Sequence, residues 1–135
     1  MRRSWMSFGR NFMTTETYFF DSYALLEMLH QNENYAPYRQ AKLVTTKLNL
    51  FEVYSACTRD YGTRYAQEVF EQLKGHASEL EEDVIPGAAA LRIRLSQKRM
   101  SMTDVIGYVT AAKKGIRFLT GDRQFEDLPN VEFVR

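Results

Sequence analysis

Cysteine is nearly absent from this 135-residue sequence: Cys57 stands alone, so neither an internal disulfide nor a Cys-x-x-Cys metal site can form within one chain. That scarcity agrees with a reducing compartment. No apolar run approaches the roughly 20 residues that a membrane-spanning helix needs. The basic start, Met1-Arg2-Arg3-Ser4-Trp5, is not followed by an apolar stretch of signal-peptide length. An excess of one charge is missing too, since 18 lysines and arginines face 17 acids for a net charge of +1. A polyanion would have to meet a local basic patch rather than a basic protein. Internal repeats and low-complexity segments are also lacking. The expectation is a cytoplasmic protein.

What is present suits one globular domain: 44% hydrophobic and 26% charged residues, in a chain long enough to bury a core but too short for two ordinary domains. Residues 1–12 differ from the rest, with Arg2, Arg3 and Arg10, no acid, and neither a helical nor a strand period. They read as a flexible extension, and residues 13–135 as the single domain.

Strand and helix patterns alternate through that domain. Tyr18-Phe19-Phe20 is a short apolar run of the kind buried on both faces of a parallel sheet. Ala24, Leu25, Met28 and Leu29 then recur at helical spacing, with Asp21 or Ser22 placed to cap the start. A short helix is expected over about 34–41, a second strand at 43–45, a strong helix from Lys47 to near Gly62 and another over 63–74. Val84-Ile85 is expected to end a third strand, with Pro86-Gly87 opening a helix through Leu95. Ser101-Met102-Thr103-Asp104 reads as a helix start, 116–120 as a fourth strand and 131–134 as the last. The alternation implies an α/β fold, a parallel sheet of four to five strands covered on both faces.

In such a sheet ligands bind beyond the carboxyl ends of the strands, the same edge at which crossover helices begin. Asp21 ends the first strand, Glu52 lies in the first turns of the helix after the second, Asp104 opens the helix before the fourth, and Asp122 follows the fourth. Taken singly, each acid has an ordinary explanation: Asp21 and Asp104 as helix caps, Asp122 as a turn residue, Glu52 as a solvated helix glutamate. Together they fall on one edge, and independent caps have no reason to do so. Four converging carboxylates repel one another and raise each other's pKa. Divalent cations remove that penalty, and hard oxygen donors suit magnesium or manganese.

The segments around these acids resemble a known family. Phe20-Asp21-Ser22, Asn49-Leu50-Phe51-Glu52-Val53, Met102-Thr103-Asp104-Val105-Ile106-Gly107 and Leu119-Thr120-Gly121-Asp122-Arg123-Gln124-Phe125 are similar, in order and spacing, to the four motifs of PIN domains. The likeness runs from about residue 17 to 134, and the last two motifs with Ala111-Ala112-Lys113-Lys114-Gly115 between them are its most specific part. It implies a three-layer α/β/α sandwich and a nuclease site dependent on one or two Mg2+ or Mn2+ ions, with Asp21, Glu52, Asp104 and Asp122 as metal-holding and catalytic residues. It also implies supporting roles for Ser22 and Thr120, RNA as substrate, and the toxin of a toxin–antitoxin pair, hence an antitoxin partner and a homodimer.

Arg123, beside Asp122, and Lys47, at a helix start, are the weaker candidates for contacting phosphates, with solvated surface charge as the ordinary alternative. Lys98-Arg99 and Lys113-Lys114 read as solvated faces, His30 and His76 lack metal-ligand spacing, and Cys57 falls on an apolar helix stripe. Three rival functions stay open. One is a PIN-like module that binds RNA or protein without turnover. Another is a PIN nuclease acting on structured DNA or precursor ribosomal RNA. The third is a different doubly wound phosphate enzyme, against which stand the missing Asp-x-Asp after the first strand and the missing acidic pair of a receiver domain.

Overall fold

The computed structural model describes residues 16–135. The extension expected over 1–12 lies outside the described residues. The chain runs β1 (Thr17–Phe20), α1 (Ser22–Leu29), a 3-10 helix (Glu33–Gln40), β2 (Lys42–Thr46), α2 (Lys47–Tyr61) and α3 (Thr63–Leu73). A short 3-10 turn (Lys74–His76) leads to β3 (Ala77–Ser78), α4 (Val84–Arg94), α5 (Met102–Lys114), β4 (Arg117–Thr120), a 3-10 turn (Arg123–Phe125) and β5 (Val131–Phe133). The five strands form one sheet in the order β3-β2-β1-β4-β5, and every pairing is parallel.

Strand periodicity explains why the apolar run at β1 is continuous. Successive side chains point to opposite faces, and here both faces are covered. Phe20 and Leu119 pack with Leu25, Met28, Leu50, Val53 and Leu73 on the side of α1, α2 and α3. Phe19 and Phe118 pack with Val84, Leu91, Val105 and Ile106 on the side of α4 and α5. All four strand residues are fully buried. The rings of Phe19 and Phe118 lie stacked at 5.5 Å, and α5 comes down on them at Gly107. A Cβ there would sit 3.0 Å from Phe19 Cε1, so any larger residue needs the Phe19 ring to give way by a few tenths of an ångström. Cys57 is buried in the first of these cores, as its place on the apolar stripe implied.

Two expectations need correction. The third strand is Ala77–Ser78, paired with Thr45 and Thr46, and not a segment ending at Val84-Ile85. Val84 instead opens α4, with its amide bonded to Glu81 O and Ile85's to Glu82 O. Pro86 is tolerated inside that first turn because the amides there lack intrahelical acceptors in any case. The apolar pair arose from packing: Val84 is buried against the α4–α5 core while Ile85 is half exposed. The expected short helix near Pro37 forms as a 3-10 helix.

The chain order sets the location of the site. From β1 it moves outward to β2 and β3, then crosses back to β4 on the other side of β1. The β1/β4 boundary is therefore the switch point at which a crevice opens beyond the strand ends. No helix among the described residues is long and apolar enough to cross a membrane.

Candidate active site

Asp21 and Asp122 leave β1 and β4 on either side of that switch point, and Thr120 joins them. The Thr120 hydroxyl donates to Asp21 Oδ2 at 2.5 Å and accepts the Asp122 amide at 3.0 Å. Asp21 Oδ1 accepts from Ala24 N at 2.9 Å, which makes it the N-cap of α1. The capping explanation and the site explanation are thus compatible, since one carboxylate serves both. Asp122 Oδ1 accepts from Gln124 N at 3.0 Å and starts the short 3-10 turn.

Asp104 is not itself the N-cap of α5. Ser101 holds that position, its hydroxyl accepting from Asp104 N at 3.1 Å while Asp104 Oδ2 accepts from Ser101 N at 2.9 Å. This reciprocal capping box fixes the Asp104 side chain in the first turn and leaves its second oxygen free of these bonds. Glu52 lies in the second turn of α2, half-buried, with Oε1 accepting from Ser22 Oγ at 2.5 Å. Ser22 accepts in turn from Asn49 Nδ2 at 3.0 Å.

Electrostatics ties the four together. Burial pushes the Asp21 carboxyl up to about 7; the bonds from Thr120 and Ala24 oppose that, and the charges of Asp104 and Asp122 add to it. Asp104 is raised as well, first by burial and further by Asp122 and Glu52, with Ser101 acting the other way. Asp21 is only 5% exposed, and none of the ion pairs given by the described residues reaches any of the four carboxylates. Among the described residues the four carboxylates therefore share one edge without an ion pair to any of them.

That donor set fits a divalent cation, because every available group is a hard oxygen and the uncompensated charge is what a cation would relieve. Among the described residues, no three His, Cys, Asp or Glu side chains close into a ready-made cage.

Other candidates fall outside this group. Lys47 is exposed in the first turn of α2. Arg123 is exposed beside Asp122 and makes a long contact of 3.9 Å with Glu126. Lys98 pairs with Asp127 and Lys113 with Asp83, both at 3.1 Å, as solvated faces do. The His30 ring meets Tyr61, and His76 Nδ1 lies 3.2 Å from Leu43 O. Two further residues of the motif segments, to which the sequence assigned no role, support the acids. Asn49 is 2% exposed and bonds Ser22 and Thr46. Gln124 puts Nε2 at 3.5 Å from Asp122 Oδ2. The available signal for each was its place in a motif, Asn49 three residues before Glu52 and Gln124 two after Asp122.

Gly121 completes the edge. A Cβ there would lie 2.3 Å from Tyr23 Cε1 and 2.4 Å from Val134 O. The Tyr23 ring and the chain after β5 therefore close over the backbone between Thr120 and Asp122.

A five-stranded parallel α/β sandwich with acids gathered at its switch point defines the class of protein, and comparison with known proteins gives the family. Residues 18–131 match the family described as the PIN domain. The chain belongs to the PIN-domain family. No curated protein matches it. Among solved structures it is similar to VapC20 of Mycobacterium tuberculosis, described as a sarcin-ricin loop cleaving toxin. Identity there is 17% over 88% of this chain and 100% of that one, with a TM-score of 0.73. A toxin–antitoxin complex from Klebsiella pneumoniae aligns at 15% identity over 86% and 96% of the two chains, TM-score 0.66. VapBC-5 of Mycobacterium tuberculosis, a member of the VapBC family of toxin–antitoxin systems, aligns at 18% over 88% and 98%, TM-score 0.63. At these identities the likeness is one of fold.

Proposed function

We propose that the chain is a divalent-metal-dependent endoribonuclease that hydrolyses RNA phosphodiester bonds, and the toxin of a toxin–antitoxin pair. The observation that carries the chemistry is the buried Asp21, bridged to Asp122 through Thr120, crowded by Asp104 and reached by none of the ion pairs among the described residues. A divalent cation would lessen the repulsion between such acids and a polyanionic substrate.

Asp21, Glu52, Asp104 and Asp122 are the residues that would hold Mg2+ or Mn2+. When bound, one or two such ions activate a water molecule and offset charge on the phosphate. The protein's own part is preorganisation. Thr120 holds Asp21 and Asp122 in register, the capping box holds Asp104, and Ser22 holds Glu52, so little reordering is left for the reaction itself. Lys47 and Arg123, exposed at the same edge, are the proposed contacts to the RNA backbone.

The toxin reading draws on structural relatives described as toxins or toxin–antitoxin complexes. It implies an antitoxin partner, a homodimer and a cytoplasmic location, with residues 13–135 as the domain and 1–12 as an extension of it. Phe51 and Met102, next to Glu52 and near Asp104 in sequence, are 72% and 55% exposed. Exposed apolar side chains of this size are candidates for contact with such a partner.

The test is cleavage of labelled RNA and single-stranded DNA with magnesium, manganese or EDTA, wild type against Asp104→Asn. Metal-dependent RNA cleavage lost in the variant is the expected result. DNA cleavage alone would transfer the substrate to DNA. Magnesium-independent RNA binding without cleavage would make the chain a binding module.

A further inference from the structure

Glu52 meets the acidic edge with one of its oxygens already engaged, and the bonds behind it form a chain of fixed direction. Thr46 Oγ1 donates to Asn49 Oδ1 at 2.7 Å, Asn49 Nδ2 donates to Ser22 Oγ at 3.0 Å, and Ser22 Oγ donates to Glu52 Oε1 at 2.5 Å. The directions follow from the groups themselves. An amide nitrogen only donates, an ionised carboxylate only accepts, and a serine hydroxyl has one proton. Because Asn49 supplies a hydrogen to Ser22 Oγ, the Ser22 proton is left for Glu52.

Thr46 keeps the amide the right way round. Its Oγ1 already accepts from Asn49 N at 3.3 Å, as the N-cap of α2. With the amide turned over, Thr46 would face an NH2 group and its own proton would lose its acceptor. Ser22 would then face a carbonyl oxygen that competes with Glu52 for the Ser22 proton. Asn49 is 2% exposed, and it precedes Glu52 by three residues on α2, so the two share a helix face. A buried amide is costly unless its bonds are met, and here they are met by groups leading to the acidic edge.

Resting on the metal-dependent reading above, we infer that Asn49 is a positioning residue for the metal-holding Glu52, acting through Ser22. The relay occupies Oε1 and leaves Oε2 as the oxygen offered to the cation. It also prevents Ser22 from turning its proton elsewhere when the ion is absent, so Glu52 is held in place beforehand.

The test is Mn2+ binding to the full chain, followed by electron paramagnetic resonance, in wild type, Ser22→Ala, Asn49→Ala and the double variant, with melting curves alongside. Each single variant is expected to weaken Mn2+ binding by roughly 10-fold, the lower end for loss of an outer-shell partner. The double variant is expected to bind no worse than the weaker single one, because the two residues act in series. Ser22→Thr, which restores the hydroxyl, recovers most of the affinity. A purely structural Asn49 gives a different pattern: Asn49→Ala melts lower but binds Mn2+ as wild type does, or its effect multiplies with that of Ser22→Ala. Either result overturns the relay and leaves the nuclease reading standing. Wild type that binds no Mn2+ overturns both. Should Asn49→Ala not fold, the Asn49 side-chain amide resonances of wild type and Ser22→Ala take its place. Mg2+ is expected to shift them in wild type and not in Ser22→Ala, and equal shifts in both overturn the relay.

Discussion

Thr120 donates its hydroxyl to Asp21 Oδ2 at 2.5 Å across 99 positions of sequence, and it does so while accepting the Asp122 amide. One buried oxygen thus couples the ends of β1 and β4. Thr120→Val keeps the branched shape and removes that oxygen. Asp21 then loses a bond that lowers its pKa, so the titration profile of Asp21 in the metal-free protein, read by NMR, is expected to move upward. The orphaned Asp122 amide is expected to cost about 1–3 kcal/mol of stability, read from urea unfolding. An unshifted profile would show that Thr120 does not tune Asp21.

The raised Asp21 pKa makes a signed prediction for the metal-free protein. The folded chain keeps this proton up to about pH 7, whereas an unfolded aspartate releases it near pH 4. Between those values the native state binds more protons, so stability is full below about pH 4 and declines as pH rises to about 7. Melting temperatures in EDTA are expected to fall by several degrees across that window, and Asp21→Asn to remove most of the decline. Saturating Mg2+ is expected to restore stability at the upper end, since the ion binds the ionised carboxylate. A metal-free melting temperature that rises through the window would contradict the burial of a protonated Asp21.

Asp104→Asn separates chemistry from folding. An asparagine oxygen can still accept from Ser101 N, so the capping box survives while one negative charge leaves the edge. Cleavage is expected to drop by at least the roughly 10- to 100-fold that loss of an outer-shell partner costs. Melting in EDTA is expected to stay level or rise, because Asp122 and Glu52 lose a repelling neighbour. Full activity in this variant would remove Asp104 from the site.

Gly121→Ala tests the closure over the strand end. The new methyl would meet the Tyr23 ring, which can turn, and Val134 O, which belongs to the backbone. Overpacking of this kind costs about 1–3 kcal/mol, and Thr120 and Asp122 flank the displaced residue. A lower melting temperature together with weakened Mn2+ binding is the expected pair of readings. Loss of stability with intact Mn2+ binding would show the closure to be independent of the site.

The sequence by itself determined the class of fold and the edge on which the acids lie. Apolar runs at Tyr18-Phe19-Phe20 and Phe118-Leu119 demanded a sheet covered on both faces, and element order alone then placed Asp21, Glu52, Asp104 and Asp122 at the carboxyl ends of the strands. Local chemistry was legible too: the Ser101–Asp104 capping box needs only residues three apart. Local signals do not reach the third strand. Val84-Ile85 has strand-forming side chains, but a two-residue strand at Ala77–Ser78 carries almost no periodic signal, and only its pairing with Thr45 and Thr46 reveals it.

Tertiary structure decided how the acids are held. The Thr120 bond to Asp21, the Ser22 bond to Glu52 and the Asn49 relay join residues 27 to 99 positions apart, and no spacing rule connects positions that meet only after the sheet has formed. It decided the protonation of Asp21 for the same reason, because burial and the charges of Asp104 and Asp122 are properties of the assembled edge rather than of any segment.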